Sequence, residues 1–395
     1  MRRATPIAAR VQAAASRPST SASPPPIVAK RVDVKQKFAE KVGRLSAQLA
    51  ERERRSFAEF TRTLERRLPT IRLIERTICR PGRSRLVTVG SLATQLAVDD
   101  TSDIDLCFLA DDAAFQRDFL ENRDFRSTFM DCVAGQIGQL RHADAGLELQ
   151  REVFPLYNTR VPLLIANFAN GLALDVQFVD SNMHAIKNTN LCRTYAAADS
   201  RFRQVYQWLR TLCLALGVKN SKEGLFSSYH LMLLVIHFLQ YKASPPVVPV
   251  LATSHAKLVG PDFSLLQLIE RLQLPAEQLI DWRSTNEQSA GELAVDLVAY
   301  YAAFDPFKYA IDVAKGRVFK KTRQGAEKRL LLYDPYSPIS VAHSSQIPDA
   351  FRLTFDFLNR QMQLGKCIDA LPTKADVRRF QLQTRALNLE EAGIY

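Results

Sequence analysis

Three aspartates and a glycine-serine pair are the residues of this chain whose types and spacing suit chemistry. Val89-Gly90-Ser91 is followed, after an eleven-residue spacer, by Asp103-Ile104-Asp105-Leu106. In a strand, side chains two apart emerge on one face with Cα atoms about 6.5–7 Å apart, so Asp103 and Asp105 converge on the same space. Carboxylates held that close beside apolar neighbours repel unless a cation neutralises them. A divalent metal, or a pair of ions about 3.5–4 Å apart, resolves the repulsion and is the arrangement that in-line phosphoryl transfer uses. A third carboxylate is expected from a neighbouring strand, and Asp175 in Ala173-Leu174-Asp175-Val176-Gln177-Phe178 is placed for it. Gly90-Ser91 stands at a strand end before a helix-like LATQLA run, where a small residue lets backbone N–H groups approach a phosphate. An Asp-x-Asp pair alone is common in caps and surface ion pairs, and Asp99 and Asp100 read as solvated loop residues. The combination of Gly-Ser, spacer, apolar-flanked Asp-x-Asp and a later strand aspartate carries the specificity.

Holding these groups together takes a sheet. Val34, Phe38, Val42, Leu45 and Leu49 recur at helical spacing, and a second helical stretch from Phe57 to Leu68 is expected to end at Pro69. Short apolar and β-branched runs then predict strands at Leu86–Val89, Ile104–Leu109, Pro162–Phe168 and Leu172–Val179, with a long helix over about 112–140 between the second and third. Strands mixed with helices in this order indicate an α/β or α+β sheet domain. Beyond residue 199 the pattern is helical at 199–217, 227–242, 263–273, 290–303 and 349–365, with Pro245, Pro246 and Pro249 opening a long loop.

The chain has 395 residues, 47% hydrophobic, with 53 Lys and Arg against 41 Asp and Glu. Its net charge of +12 sits in two blocks. Residues 1–32 hold Arg2, Arg3, Arg10, Arg17, Lys30 and Arg31 and no acid; the run 315–329 holds seven basic residues and one acid. The rest is neutral overall, which excludes a uniformly cationic scaffold. The Arg-, Ala-, Ser- and Pro-rich N-terminal tail fits an organellar transit peptide, so a mitochondrial location is expected, with a plain disordered tail of a cytoplasmic protein as the alternative. No run reaches the ~18 apolar residues of a membrane span, so no membrane partner is expected. Cys79, Cys107, Cys132, Cys192, Cys213 and Cys367 are scattered without metal-ligand spacing and read as reduced thiols, and the six histidines suggest no zinc site.

Val89 to Leu106 resembles the signature of the DNA polymerase β-type nucleotidyltransferase superfamily. Asn188-Thr189-Asn190-Leu191, Asp199-Ser200-Arg201, Gly224-Leu225-Phe226-Ser227-Ser228-Tyr229 with the apolar helix Leu231 to Gln240, and Asp334-Pro335-Tyr336 with Ser340-Val341-Ala342 narrow the resemblance to terminal RNA uridylyltransferases and non-canonical poly(A) polymerases. It covers about 70–365. It implies an α+β fold: a mixed-sheet nucleotidyltransferase domain with helices and a mainly helical poly(A)-polymerase-associated domain, with a cleft between them. The expected divisions are a basic tail at 1–32, N-terminal helices at 33–68 packing on the helical domain, the catalytic domain at 69–187, the helical nucleotide-recognition domain at 188–385 and a C-terminal tail at 386–395. The implied activity is template-independent addition of UMP to RNA 3′ ends, with ATP as the alternative donor and a catalytically silent RNA-binding or scaffold protein as a further one.

Carried over position by position, the resemblance makes Asp103, Asp105 and Asp175 the metal-binding catalytic carboxylates for two Mg²⁺ or Mn²⁺ ions, with Asp175 also activating the RNA 3′-hydroxyl. Gly90, Ser91 and Ser228 would meet the triphosphate, Asn188 the ribose hydroxyls, and Tyr229 would stack on the base. The family's two triphosphate lysines, four apart, fall on Arg210 and Leu214; the first keeps its charge and the second does not, leaving Lys219 or Lys222 to compensate. Some uridylyl-adding members carry a histidine where this chain has Ser340, with His343 three residues on. Asp334 could accept a hydrogen bond from uracil N3–H through water, which favours UTP, although adenine's amino group is also a donor. Lys315, Arg317, Lys320, Lys321 and Arg323, just before this motif, are candidates for tracking single-stranded RNA. A catalytic body with only that excess charge is expected to bind RNA modestly and to depend on a specificity-conferring protein partner.

Overall fold

A computed structural model describes residues 33–96, 103–159, 161–178, 180, 182–259, 263–322 and 328–391. The basic tail at 1–32, Asp99, Asp100 and Arg323 therefore lie outside the described residues. The chain enters through a one-turn helix α1 (Val34–Lys37), capped by the Asp33 carboxylate, and a 40-residue helix α2 (Ala39–Ile78). Pro69 does not end the helix as expected: α2 runs through it. Proline removes one intrahelical bond and crowds the preceding turn. Here it sits on the exposed face, while Phe60 on one side and Ile71, Ile74 and Ile78 on the other are anchored in the same core.

Strand β1 (Ser84–Thr88) leads to the short helix α3 (Gly90–Thr94), β2 (Ile104–Ala110), helices α4 (Ala113–Glu121) and α5 (Arg123–Gly138), and strands β3 (Phe154–Leu156), β4 (Leu163–Asn167) and β5 (Ala173–Phe178). The helix expected over 112–140 is thus two, because Asn122 accepts the N–H groups of Asp124 and Phe125 and starts a new helix. The sheet order is β1-β2-β5-β4-β3, with β2 and β5 parallel and the other pairs antiparallel. Strand alternation decides its faces. Ile104, Leu106 and Phe108 of β2 and Leu174, Val176 and Phe178 of β5 pack against α2 and α5. Asp105, Cys107, Asp175 and Gln177 turn to the other face.

That other face is covered by α6 (His184–Ala198), which sequence periodicity did not reveal. Eleven of its 15 residues are buried, so it lacks the polar face that makes a helix legible. It precedes α7 (Ser200–Ala215), α8 (Ser228–His237) with a π-turn over Phe238–Lys242, the short helices α9 (Leu251–Ser254) and α10 (Ala256–Val259), α11 (Leu265–Gln273) and α12 (Ala290–Ala303). Polar side chains of α6 are spent on α11: the Asn190 amide donates to Leu268 O at 2.9 Å and the Arg193 guanidinium to Arg271 O at 2.8 Å. Asp199-Ser200-Arg201 also serves structure, with Asp199 capping α7 and Arg201 donating to the carbonyls of Asn286 and Gln288 at 2.7 and 2.8 Å.

The second lobe also contains a small sheet, ordered β7-β6-β8, made of β6 (Tyr309–Asp312), β7 (Arg317–Lys320) and β8 (Leu332–Tyr333), before α13 (Ile347–Gln363) and α14 (Lys374–Glu391). Its strands are too short to show a period. The core of this lobe joins α7, α8, α12 and α13 to Val42, Leu45 and Leu49 of α2. Gly291 permits that contact, since a Cβ there would lie 2.5 Å from Val42 O. The long helix thus contributes to the cores of both lobes, and α6 runs across residues 187 and 188. No described helix is long and apolar enough to cross a membrane.

Candidate active site

Asp105 and Asp175 are direct partners across the parallel β2–β5 pair, on the face turned to α6. Asp103 immediately precedes β2 and is exposed. Burial first, then the neighbouring carboxylates of Asp175 and Asp103, pushes the Asp105 carboxyl up to about 7, against the pull of a hydrogen bond from Ser91 N–H. Burial and Asp103 likewise raise Asp175 to about 6, while Lys222 pulls it down. The three aspartates brought together by the fold are an acidic cluster strained by its own charge.

Gly90 is required by this cluster. Its φ is +65°, and a Cβ there would lie 2.2 Å from Asp105 Oδ2. The sequence expectation that backbone N–H groups at the start of α3 are open to a phosphate is corrected in part. Gly90 N–H donates to Thr189 Oγ1 at 3.1 Å and Ser91 N–H to the Asp105 carboxylate. Ser91's hydroxyl is the group of this pair left for a ligand. Thr189, one residue past Asn188, was not singled out from sequence; its hydroxyl, which also donates to Ala185 O at 2.7 Å, ties α3 to α6.

These residues line a cleft of about 430 Å³ between the lobes. Gly90, Ser91, Asp103 and Asp105 form its sheet side, and Asn188, Arg210, Lys219, Ser228 and Tyr229 its helical side. Leu214 is 44% exposed and outside the lining, whereas Lys219 enters it. Burial and then Arg210 lower the Lys219 pKa, and Asp103 opposes them. Two cations thus face the carboxylates across the cleft, as a triphosphate-binding site needs. No helical spacing could reveal this, because Lys219 lies past the turn that follows α7.

The Tyr229 hydroxyl lies 3.0 Å from both Asn188 Oδ1 and Asp334 Oδ2. A phenol donates one proton, so it donates to the carboxylate, and the amide of Asn188 turned about its axis donates to the phenol oxygen. Asp334 is buried and also accepts from Tyr336 N–H at 2.9 Å. Ser340 is buried too, its hydroxyl accepting from Leu332 N–H at 3.0 Å and donating to Leu330 O at 3.1 Å. His343 lies apart, in a groove with Lys315, Arg317 and Lys321. Lys320 is exposed, while the Lys321 ammonium donates to Pro306 O at 2.5 Å and to Arg329 O, which ties it to the backbone.

The donor set suits a hard divalent cation, since it is all carboxylate oxygen and destabilised by its own charge. Among the described residues no three His, Cys, Asp or Glu side chains close into a metal cage. Mg²⁺ sites typically take one or two carboxylates and complete themselves with water and substrate phosphates, which an open cluster beside two cations allows.

No protein-family model matches the chain. It is 34% identical over 170 residues to Poly(A) RNA polymerase gld-2 homolog A of Drosophila melanogaster, covering 42% of this chain and 12% of that protein. It is 25% identical over 221 residues to Terminal uridylyltransferase 7 of Homo sapiens, covering 52% and 14%. The chain spans less than half the length of these curated relatives. Among solved structures, a chain of the GLD-2/RNP-8 complex superposes with a TM-score of 0.63 at 21% identity, covering 84% of this chain and 99% of that one. The Cid1 poly(U) polymerase superposes with a TM-score of 0.59 at 22% identity, covering 84% and 97%. The shared fold is a mixed sheet with many helices.

Proposed function

We propose that this chain is a member of the terminal uridylyltransferase and non-canonical poly(A) polymerase family, to whose members it is similar, and that it transfers a nucleoside monophosphate, UMP, from a nucleoside triphosphate to the 3′ end of RNA without a template. The observation that carries this is that Asp103 and Asp105 face Arg210, Lys219 and Tyr229 across one cleft, with Asp175 beside Asp105 in register on the neighbouring strand. Carboxylates opposite cations suit a reaction in which a 3′-hydroxyl loses its proton, attacks the α-phosphorus and expels pyrophosphate.

Asp175 orients the attacking hydroxyl, and Asp103 and Asp105 hold the reacting phosphate's side of the cleft. Two Mg²⁺ or Mn²⁺ ions on these three carboxylates would supply the charge that acidifies the hydroxyl and neutralises the leaving group. Arg210, Lys219 and the hydroxyls of Ser91 and Ser228 grip the triphosphate. Tyr229 stacks on the base, and Asn188, braced by the Tyr229 hydroxyl, meets the ribose. Asp334 accepts from uracil N3–H through water. AMP transfer is the second reading, favoured by Ser340: a small side chain spent on its own backbone sets up no bulk against a purine.

The test is incubation of the purified chain with a short labelled RNA, Mg²⁺ or Mn²⁺ and each NTP separately, beside Asp103→Ala. Extension by the wild type alone is expected, with UTP the best donor. No extension with any NTP would sink the enzyme reading in favour of a silent RNA-binding protein, and equal extension by the variant would sink the carboxylate assignment.

A further inference from the structure

The small sheet of the second lobe has two unlike faces. Ile311 and Leu332 turn inward with Val313 into the core. Alternation and register put Asp312, Arg317, Phe319 and Tyr333 together on the outer face. This face floors a groove of about 860 Å³, walled on the far side by the segment from Ser337 to His343. The Arg317 guanidinium stands 5.5 Å from the centroid of the Phe319 ring, and Phe319 stacks on Tyr333 at 6.1 Å and 28°. Lys315 and Arg329 are exposed along the groove, and Asp312 is neutralised by Arg317 at 3.4 Å. Asp334, whose carboxylate takes the hydrogen bond of Tyr229 from the catalytic cleft, also lines this groove.

Two aromatic rings that meet over the central strand, from β7 and β8, stabilise a sheet by themselves. They do not account for an open groove, for cations around the rings, or for the junction with the cleft. A single nucleic-acid strand alternates flat bases with phosphates, and a sheet face of aromatic rings and guanidinium planes between cations complements it. A duplex keeps its base faces stacked inside and cannot use such a face. We propose that this groove binds single-stranded RNA upstream of the 3′ end, with bases stacking on the Arg317–Phe319–Tyr333 ladder and phosphates meeting Lys315 and Arg329. The proposal rests on the reading of the chain as an RNA-extending transferase and names where the acceptor is held.

The test uses the full chain and a fluorescein-labelled oligo(A) of about 15 nucleotides, with a duplex of equal length as control. Binding is followed by anisotropy over a salt series, and KM for RNA and for NTP by extension. Phe319→Ala is expected to weaken strand binding about tenfold or more and to raise the RNA KM alone, and Phe319→Trp to restore both. Lys315→Gln with Arg329→Gln, both on exposed residues, should flatten the log–log salt dependence by about 0.7 for each phosphate no longer neutralised. Unchanged affinity in a Phe319→Ala protein with wild-type circular dichroism, an effect confined to the NTP KM, or equal binding of duplex would overturn the proposal. Should Phe319→Ala fail to fold, an unaltered affinity and salt slope in the double glutamine variant overturns it instead. A protein that extends no RNA yet loses strand affinity in these variants would sink the transferase reading and keep the groove; extension with RNA affinity indifferent to them would do the reverse.

Discussion

Replacing Asp105 by asparagine should make the protein more stable above neutral pH while abolishing its activity. The folded chain raises the Asp105 carboxyl from 3.8 to about 7, by burial first and then by Asp175 and Asp103. A group that holds its proton more tightly when folded adds stability that is complete below its unfolded pKa, here about 4, and is lost as the pH climbs through about 7. At about 1.4 kcal/mol per pH unit, the ionised carboxylate costs on the order of 4 kcal/mol at pH 8, an upper bound because water and side chains relax around it. Asparagine has the same shape, keeps an oxygen for Ser91 N–H and carries no charge. Thermal unfolding should therefore show Asp105→Asn melting several degrees above wild type at pH 8 and close to it at pH 4.5. Adding 10 mM Mg²⁺ at pH 8 should raise the wild-type midpoint and narrow the gap, since a bound cation removes the same repulsion. A variant no more stable than wild type at pH 8, or a gap that does not change with pH, would refute the claim that self-repulsion strains this cluster.

Three further outcomes follow from the cleft geometry. Gly90→Ala should cost about 1–3 kcal/mol of stability from its left-handed backbone alone. It should also lower kcat by two orders of magnitude or more, because the new methyl displaces the Asp105 carboxylate; near wild-type turnover would count against it. Lys219→Gln should raise the KM for the NTP about ten- to a hundredfold, as expected when a charge-assisted hydrogen bond is removed. Leu214→Lys should leave that KM within about twofold, since the side chain lies outside the cleft lining; steady-state kinetics with saturating RNA separates the two, and the opposite ranking would return the missing cation to position 214.

What could be read from sequence was whatever repeats at short range. The spacing from Gly90-Ser91 to Asp103 and Asp105 pointed to an acidic cluster, and the apolar alternation around Asp175 pointed to its strand; the register of β2 and β5 brings the carboxylates face to face. Alternation along one strand cannot say which strand lies beside it, so that pairing had to come from the fold. Helix α6 escaped notice because burial on all sides erases the periodic signal, although it carries Asn188 and Thr189. Pro69 misled because its local cost is outweighed by anchoring on either side. Which N–H groups of α3 remain open was also beyond sequence, because their acceptors come from 14 residues on in Asp105 and from Thr189, 99 residues beyond Gly90.

Helix α2 makes the two lobes share a structural member. At about 1.5 Å per residue its 40 residues extend about 60 Å. Val42, Leu45 and Leu49 near one end belong to the second lobe's core, and Phe60, Ile71, Ile74 and Ile78 toward the other belong to the first. A cut between Leu49 and Phe60 keeps the first lobe's core on one piece but strips Val42, Leu45 and Leu49 from the second's, so the second lobe cannot be excised whole by severing α2. The same rod resists any swing of one lobe against the other, which makes the width of the gap between them a property of the helix's stiffness as much as of what it binds.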